Sequence, residues 1–201
     1  MANYTQSIQT LMNLLGALPG IGMRSAERIA FHILKQDAAE AMKLADAIRE
    51  VKTRIKHCSV CYNLTEADPC NICTDPSRDQ TLVCVVEQPK DLLALEAASL
   101  YKGVYHVLLG RIAPLEGTDE GDITLGALAQ RLGNGVIKEI ILGTNPNLDG
   151  DATSLAILDI VRNQFPNIII TRLARGLAAG TQIEHANRNV LADAINMRQK
   201  I

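Results

Sequence analysis

Four cysteines carry the clearest chemical signal in this sequence of 201 residues. Cys58, Cys61, Cys70 and Cys73 follow the spacing C-x2-C-x8-C-x2-C, which is typical of two metal-binding knuckles. Four thiolates complete a tetrahedron around one Zn²⁺ and leave no position for a catalytic water. The spacing therefore predicts a structural zinc site.

Two disulfides are the alternative for the same cysteines. The N-terminus lacks the basic start and apolar run of a signal peptide, and no apolar stretch reaches the roughly 18 residues of a membrane span. These features predict a cytoplasmic protein with no membrane partner, where disulfides rarely persist. Zinc is thus the favoured interpretation. Cys84 lies in the apolar run TLVCVVE and is predicted to be buried.

A second signal is the segment 18–22, which reads LPGIG and separates two helical patterns of apolar residues. Two glycines around one isoleucine allow a tight hairpin whose N–H groups lie beside the start of the next helix, where a phosphate binds well. Arg24 and Arg28 are four residues apart, so they share one helical face behind this turn. The pattern predicts binding to a DNA backbone. An ordinary helical hairpin with surface arginines is the alternative.

Charge and composition support a division of the chain. Residues 1–56 hold 8 Lys or Arg and 5 Asp or Glu, whereas residues 57–201 hold 12 and 17. With 47% hydrophobic and 21% charged residues, the chain is expected to be globular. Six aromatic residues and no tryptophan are too few for a surface that stacks successive bases. DNA binding would therefore depend on the backbone.

A third helical pattern and three histidines can also be interpreted from the sequence. Apolar residues at positions 44, 45, 48, 51 and 55 predict a third helix. His57 is predicted to face solvent because four cysteines already satisfy a metal. His32 and His106 are predicted to pack within a helix and a strand.

From Thr81 onward, apolar runs of strand length alternate with helical patterns, which predicts a parallel sheet covered on both faces. Glu87 follows the first predicted strand, and Asp149 and Asp151 follow the third. In extended backbone the two aspartates would point to one side, so we expect the three carboxylates to converge. Such a cluster either binds Mg²⁺ or faces a basic partner. The arrangement resembles the Toprim domain of primases, topoisomerases and certain nucleases.

Taken in order, six segments resemble the bacterial RecR family of recombination mediators along nearly the whole chain. They read LPGIGMRSAERIAFHIL, CSVCYNLTEADPCNIC, LVCVVEQPKDLLALE, YHVLLGRIAPLEG, GTNPNLDGDATSLAI and TRLARG. The resemblance implies a multidomain α and α/β fold. Its expected parts are a helix-hairpin-helix module (1–56), a four-cysteine zinc finger (57–76), a Toprim domain with a parallel sheet (77–172) and a C-terminal tail (173–201).

The resemblance also implies a function. RecR-family proteins are similar to a clamp whose protomers form a tetrameric ring around DNA, and they are not known as enzymes. With RecO and RecF they help RecA replace single-strand-binding protein at gaps. The residues implied are Gly20, Gly22, Arg24 and Arg28 for DNA contact, the four cysteines for zinc, and Glu87, Asp149 and Asp151 for an acidic site that faces partners. In the cell such a protein would be associated with the nucleoid.

Two departures from the family pattern stand out. Residues 178–185 replace a usual segment that has a glycine pair and ends in Leu-Glu-Tyr, and Leu109-Gly110 replaces another usual glycine pair. The second change is expected to cause a local repacking. Two other functions remain open at this level: a Mg²⁺-dependent nuclease or phosphoryl-transfer enzyme that uses the three carboxylates, and a zinc-stabilised interaction protein without affinity for DNA.

Overall fold

A computed structural model describes residues 4–198 of the chain. The chain divides into two compact units, residues 1–55 and residues 56–201. Within the described part, none of the helices combines the length and hydropathy that a membrane span requires.

The first unit consists of three helices, and the two predicted around the LPGIG segment are confirmed. They are α1 (Gln6–Gly16), α2 (Met23–Lys35) and α3 (Ala38–Arg54). Helix α1 packs against α2, and this contact buries Met12, Ala26 and Ala30. The small alanines on α2 let the two helices approach closely. The Asp37 side chain accepts the N–H of Ala39 and so caps the start of α3.

Two details of this unit differ from the sequence expectations. His32 is exposed, so its predicted role in helix packing was wrong. The apolar stripe of α3 does form a helix, but Leu44, Ile48 and Val51 are all exposed. The period of the stripe therefore predicted the helix correctly, although these side chains form no core.

The second unit begins with the cysteine-bearing segment. Strand β1 (Lys56–His57) pairs antiparallel with β2 (Leu64–Thr65), and a short helix α4 (Asn71–Thr74) follows. The first cysteine pair lies in the turn between the two strands, and the second pair flanks the start of α4. We refer to residues 56–74 as the knuckle segment. His57 is exposed, as predicted.

A four-stranded parallel sheet forms the body of this unit, and the predicted alternation of strands and helices is confirmed. The strands are β3 (Asp79–Val86), β4 (Gly103–Val107), β5 (Glu139–Leu142) and β6 (Ile169–Arg172), in the order β4-β3-β5-β6. The connecting helices are α5 (Pro89–Ala97), α6 (Leu125–Leu132) and α7 (Leu148–Gln164). Two short 3-10 helices, Pro114–Glu116 and Glu120–Asp122, lie between β4 and α6. Because every strand of this sheet is parallel, all carboxyl ends meet at one edge.

The sheet separates two apolar cores. The larger core joins β3, β4 and β5 to α6 and α7, and the smaller joins the opposite face to α5 and to the knuckle segment through Tyr62 and Ile72. Cys84 and His106 are both buried in β3 and β4, as predicted. The tail contains a 3-10 helix (Ile183–His185) and helix α8 (Arg188–Asn196).

Candidate nucleic-acid interface and metal centre

The turn between α1 and α2 is open to solvent. Its backbone closes through a hydrogen bond from the N–H of Ile21 to the carbonyl of Leu18, 3.1 Å long. Gly20 adopts the left-handed conformation with φ of 79°, which glycine tolerates best. Gly20 and Gly22 are exposed, and a side chain added at either one would meet nothing within 4 Å. A polyanion therefore has access to this backbone.

Gly22 is the N-cap of α2, so the positive end of that helix begins at the turn. A glycine offers no side chain to cap the helix, and the first turn of α2 contains no acidic residue. Arg24 and Arg28 are exposed, and neither forms an ion pair among residues 4–198. Free N–H groups and two available guanidinium groups thus occupy one end of a helix, an arrangement that suits a phosphate oxygen.

The four cysteines lie together in the knuckle segment. All four Sγ atoms are within 4.8 Å of one another, with Cys61 and Cys70 separated by 3.5 Å and Cys58 and Cys73 by 4.0 Å. Four sulfurs bound to one Zn²⁺ at about 2.3 Å lie about 3.8 Å apart. All four thiols are free of disulfides. The sulfur positions therefore fit one tetrahedral ion.

The pKa values of these thiols also indicate a site for a cation. Burial opposes ionisation of Cys58, but N–H donors from Cys70, Cys61 and Val60 outweigh it and lower the pKa of this thiol to about 7. The hydrogen bond to Cys73 and burial raise the pKa of Cys61, and burial raises the pKa of Cys70 to about 11. Four clustered thiols thus resist losing all their protons together unless a cation compensates the charge. The donor set fits a resident Zn²⁺.

The acidic residues at the carboxyl edge of the sheet have a different geometry from the one expected. Glu87 is buried, with 3% of its surface exposed. Its two carboxylate oxygens accept the backbone N–H of Asn145 at 2.6 Å and the side-chain amide of Asn145 at 2.8 Å. A buried carboxylate that is bound in this way fixes the loop between β5 and α7.

Asp149 and Asp151 lie in the first turn of α7, so the extended backbone that would have placed both on one side is not present. Residues two apart on a helix diverge by about 200°, and the aspartates contact different arginines. Asp149 accepts from Arg111 Nε at 2.9 Å, whereas Asp151 accepts from Arg175 Nη2 at 2.5 Å. The hydrogen bond and charge of Arg175 lower the pKa of Asp151.

The expected convergence of these three carboxylates is therefore wrong as well. Among the described residues, only the four cysteines form a group of three or more His, Cys, Asp or Glu ligands close enough to hold a metal. Protein donors occupy each carboxylate, and a Mg²⁺ ion would have to displace them. The residues present do not fit a three-carboxylate Mg²⁺ site.

The residue between the two aspartates, Gly150, is packed too closely to carry a side chain. A Cβ at this position would overlap the carbonyl oxygen of Asn145 and lie 2.9 Å from Glu87 Oε1. The Asn147 side chain accepts the N–H of Gly150 at 2.8 Å and caps α7. The DGD motif is therefore the start of a helix that packs tightly on the buried Glu87.

Sequence reasoning missed the partners of these carboxylates. They are Asn145, Arg111, Arg172 and Arg175. The positions of these residues in the sequence could have indicated them. Polar and basic residues follow each of β4, β5 and β6, at the same edge of the sheet where Glu87 follows β3.

Comparison with known proteins finds family models for three parts of this architecture. The helix-hairpin-helix model of RecR matches residues 8–52, the RecR four-cysteine zinc finger model matches 55–75, and a Toprim model matches 81–174. The recombination protein RecR of Rhodopirellula baltica is 50% identical over 100% of both chains. The chain belongs to the RecR family. The recombination protein RecR of Acidothermus cellulolyticus is 44% identical over 98% of each chain. That of Rubrobacter xylanophilus is 44% identical over 100% of each chain.

One of the expected departures from the RecR pattern lies at Leu109. Leu109 has φ of 62°, a conformation that costs a leucine about 1–2 kcal/mol. The neighbouring Leu108 donates its N–H to the carbonyl of Val86, and its carbonyl accepts the N–H of Thr124. The backbone at Leu109 thus has a conformation that glycine adopts with less strain, and the local repacking stays a prediction.

Proposed function

We propose that this RecR-family chain is a non-catalytic DNA-binding clamp of recombinational repair that acts with RecO and RecF to help load RecA at gaps. The exposed LPGIG turn with Arg24 and Arg28 carries the proposal. Its N–H groups and the two guanidinium groups hold phosphate oxygens without reference to base sequence. The other segments support this contact.

The zinc finger has a structural role in this proposal. Cys58, Cys61, Cys70 and Cys73 would hold Zn²⁺, and four thiolates fill its tetrahedron. Bound zinc supplies folding energy, about 10–16 kcal/mol in small peptide sites. The knuckle segment has few large buried apolar side chains of its own, so the metal replaces a core.

The Toprim edge is proposed to face protein partners rather than to perform catalysis. Arginines neutralise Asp149 and Asp151, and Glu87 supports the loop beneath them. Phosphoryl transfer would require these oxygens to bind metal ions. Their engagement favours a non-catalytic role, and RecO and RecF are the partners that we expect at this edge.

A ring of several copies explains how a chain with a net charge of −2 can retain DNA. One hairpin contacts only a few phosphates, which gives weak, salt-sensitive binding. In a closed tetramer, later contacts become intramolecular and raise the avidity by about 10² or more. The hairpins would face the lumen of the ring.

The experiment replaces Arg24 and Arg28 together by glutamate and measures the binding of labelled single-stranded and duplex DNA. The salt concentration is varied from about 50 to 200 mM, a range over which binding through phosphate contacts weakens steeply. The matched control is the double variant Lys43→Glu and Arg49→Glu, which makes the same charge change on α3. We expect the hairpin variant to bind at least about tenfold more weakly, and its duplex salt slope to fall by about 2.

Equal losses in the hairpin variant and the α3 control would refute the hairpin as the DNA site. Light scattering with and without DNA tests the ring, and a strict monomer would refute it. Incubation of labelled DNA with Mg²⁺ tests the alternative function. Cleavage that disappears in Asp149→Asn would show a nuclease and overturn the non-catalytic role.

A further inference from the structure

Helix α2 carries all of its basic side chains on one face. Arg24, Arg28, His32 and Lys35 are exposed, and with 3.6 residues per turn they leave the helix within a sector of about 80°. Arg24 and Arg28 lie beside the hairpin turn, and the other two continue the same face towards the end of the helix. We refer to these four residues as the basic face of α2.

No carboxylate of the described residues neutralises this face. Its four side chains form no hydrogen bond and no ion pair within residues 4–198. Glu27 is the only acidic residue of α2, and it lies about 100° around the helix from Arg28. The Glu27 carboxylate accepts the hydroxyl of Tyr4 at 2.5 Å. The basic face of α2 is therefore available to an external anion.

The charges of α3, in the same unit, are arranged differently. Lys43 pairs with Glu40, and Arg49 pairs with Asp46, each at 2.5 Å and three residues apart. These basic residues of α3 thus have acidic neighbours that compensate their charge. An unpaired and uniformly basic face is a property of α2 and not of both helices.

An open groove of about 440 Å³ lies on this side of α2. It is lined by four residues with the spacing i, i+3, i+4, i+7 of one helical surface, namely Ser25, Arg28, Ile29 and His32. The Ser25 hydroxyl, the Arg28 guanidinium and the protonated His32 ring each donate hydrogen bonds. Donors of these kinds contact phosphate oxygens in protein–DNA complexes.

The length of the basic face suits a run of phosphates. An α-helix rises 1.5 Å per residue, so Arg24 and Lys35 are separated by about 16 Å along the axis. One strand of B-DNA carries a phosphate for roughly every 3.4 Å of its axis, so about five phosphates pass over this distance. The face can therefore contact more of the backbone than the hairpin turn alone.

We propose that the DNA contact continues from the hairpin turn along the basic face of α2, with Lys35 and the protonated ring of His32 as further phosphate contacts. This inference rests on the proposed function, because it extends the same binding site. Histidine is the side chain whose charge ordinarily changes between about pH 5 and 8. The fourth positive charge of the face is thus present at the lower end of this range and absent at the upper end, so DNA binding strengthens as the pH falls.

The charged groups around His32 leave its protonation to the DNA. Helix α1 (Gln6–Gly16) contains no ionisable side chain, and Asp37, which follows α2, caps α3. Helix α3 approaches the opposite side of α2, where an apolar cleft is lined by residues that include Ala30, Ile33, Ala38 and Ala41. The charged neighbours of His32 are Arg28 and Lys35, one turn away on either side. Both disfavour a proton on the ring, and a bound phosphate offsets their repulsion.

The salt dependence of duplex binding at two pH values tests the extension. His32→Gln and Lys35→Gln are compared with the unaltered protein at about pH 6 and about pH 8, from about 50 to 200 mM salt. Each phosphate contact contributes about 0.9 to the slope of log K against log salt concentration. We expect Lys35→Gln to reduce the slope by at least about 0.9 at both pH values, and His32→Gln to reduce it only at the lower pH. Each loss should weaken binding about three- to fivefold at the lowest salt concentration.

Two variants outside the basic face serve as controls. Lys43→Gln removes a positive charge from α3, and His185→Gln removes a histidine whose side chain is 71% exposed in the tail. Neither should change the salt slope or its dependence on pH. The double variant Arg24→Glu and Arg28→Glu is measured alongside them, because it tests the proposed function itself.

Three results would overturn the inference. If His32→Gln and Lys35→Gln bind like the unaltered protein while the double arginine variant binds weakly, the contact ends at the hairpin and the proposed function stands. An equal loss in His32→Gln at both pH values would show an uncharged contact and refute the pH dependence. Full binding by the double arginine variant would refute the proposed function, and the extension with it.

Discussion

Two arginines beside the hairpin turn and three in the α/β unit have opposite environments. In the hairpin unit, Arg24 and Arg28 are exposed and form no ion pair within residues 4–198. In the α/β unit, Arg78, Arg111 and Arg175 each bind a carboxylate at 2.5 to 2.9 Å. The same side chain is therefore available to an external anion in one unit and engaged internally in the other.

The difference bears on the proposed DNA contact, because pairing, rather than the number of basic residues, decides which guanidinium groups are available to a polyanion. The α/β unit holds more arginines, yet at the carboxyl edge of its sheet a phosphate would have to displace Asp149 from Arg111 or Asp151 from Arg175. A paired guanidinium also contributes to folding, since removing one partner strands a partly buried charge. Substitutions should thus affect binding in one unit and stability in the other.

The largest expected effect is on stability, at Arg78. Its side chain is 16% exposed and pairs with Glu96, whose pKa the Arg78 hydrogen bond lowers. Arg78→Ala also strips a hydrogen bond from the carbonyl of Gly103. We expect the free energy of unfolding, measured by urea titration, to fall by about 3 kcal/mol.

Arg28→Ala in the hairpin unit is the matched control for Arg78→Ala. Its exposed side chain should change the free energy of unfolding by less than about 0.5 kcal/mol. Equal losses at the two positions would contradict the distinction between engaged and available arginines.

Glycines allow a second comparison between the units. Gly150→Ala would place a Cβ against the Asn145 carbonyl and Glu87, and backbone cannot move aside as a side chain can. We expect a loss of about 2–3 kcal/mol in the free energy of unfolding. Gly22→Ala in the hairpin has open space and φ of −82°, so urea unfolding should detect little change. A tolerated Gly150→Ala would refute the close packing of α7 on Glu87.

Local patterns in the sequence predicted most of this fold. The i, i+3, i+4 stripes found α1, α2 and α3, and the alternation of apolar runs found every strand of the parallel sheet. The cysteine spacing found the cluster at 58–73, because four ligands close in sequence leave few geometries. Each of these features depends on contacts between residues that are near one another in the chain.

The acidic site could not be predicted in the same way. Whether Asp149 and Asp151 lie on one side depends on where α7 begins, and the Asn147 cap starts that helix five residues earlier than the apolar pattern suggested. Two of the arginine partners, Arg175 and Arg111, come from loops 24 and 38 residues away. Exposure of the α3 stripe likewise depends on tertiary packing, which periodicity does not report.

Titration of His106 provides the third prediction. Burial, with the charge of Arg131, lowers its pKa to about 4, below the value of about 6.5 in an unfolded chain. Above about pH 6.5 neither state takes up the proton. As the pH falls from about 6.5 towards 4, the unfolded chain binds it and the native state does not, so stability decreases.

The resulting loss between pH 7 and pH 5 is about 2 kcal/mol from this group. His106→Gln removes the titration and retains an N–H donor for Thr124, so urea unfolding of this variant should depend less on pH by that amount. His32→Gln controls for removing a histidine from an exposed site. An unchanged pH dependence in His106→Gln would show that the native state accommodates the protonated ring.

The smallest expected effect compares two residues in the left-handed conformation, Gly20 in the hairpin and Leu109 in the α/β unit, with φ of 79° and 62°. Leu109→Gly relieves about 1–2 kcal/mol of strain but adds freedom to the unfolded chain worth about 0.5–1 kcal/mol. We expect a net gain of about 0.5 kcal/mol. Gly20→Ala should lose about 1 kcal/mol although its surroundings are empty, because the strain is in the backbone itself. Thermal unfolding of both variants tests the pair, and a destabilised Leu109→Gly would show that the packing of the leucine outweighs its strained backbone.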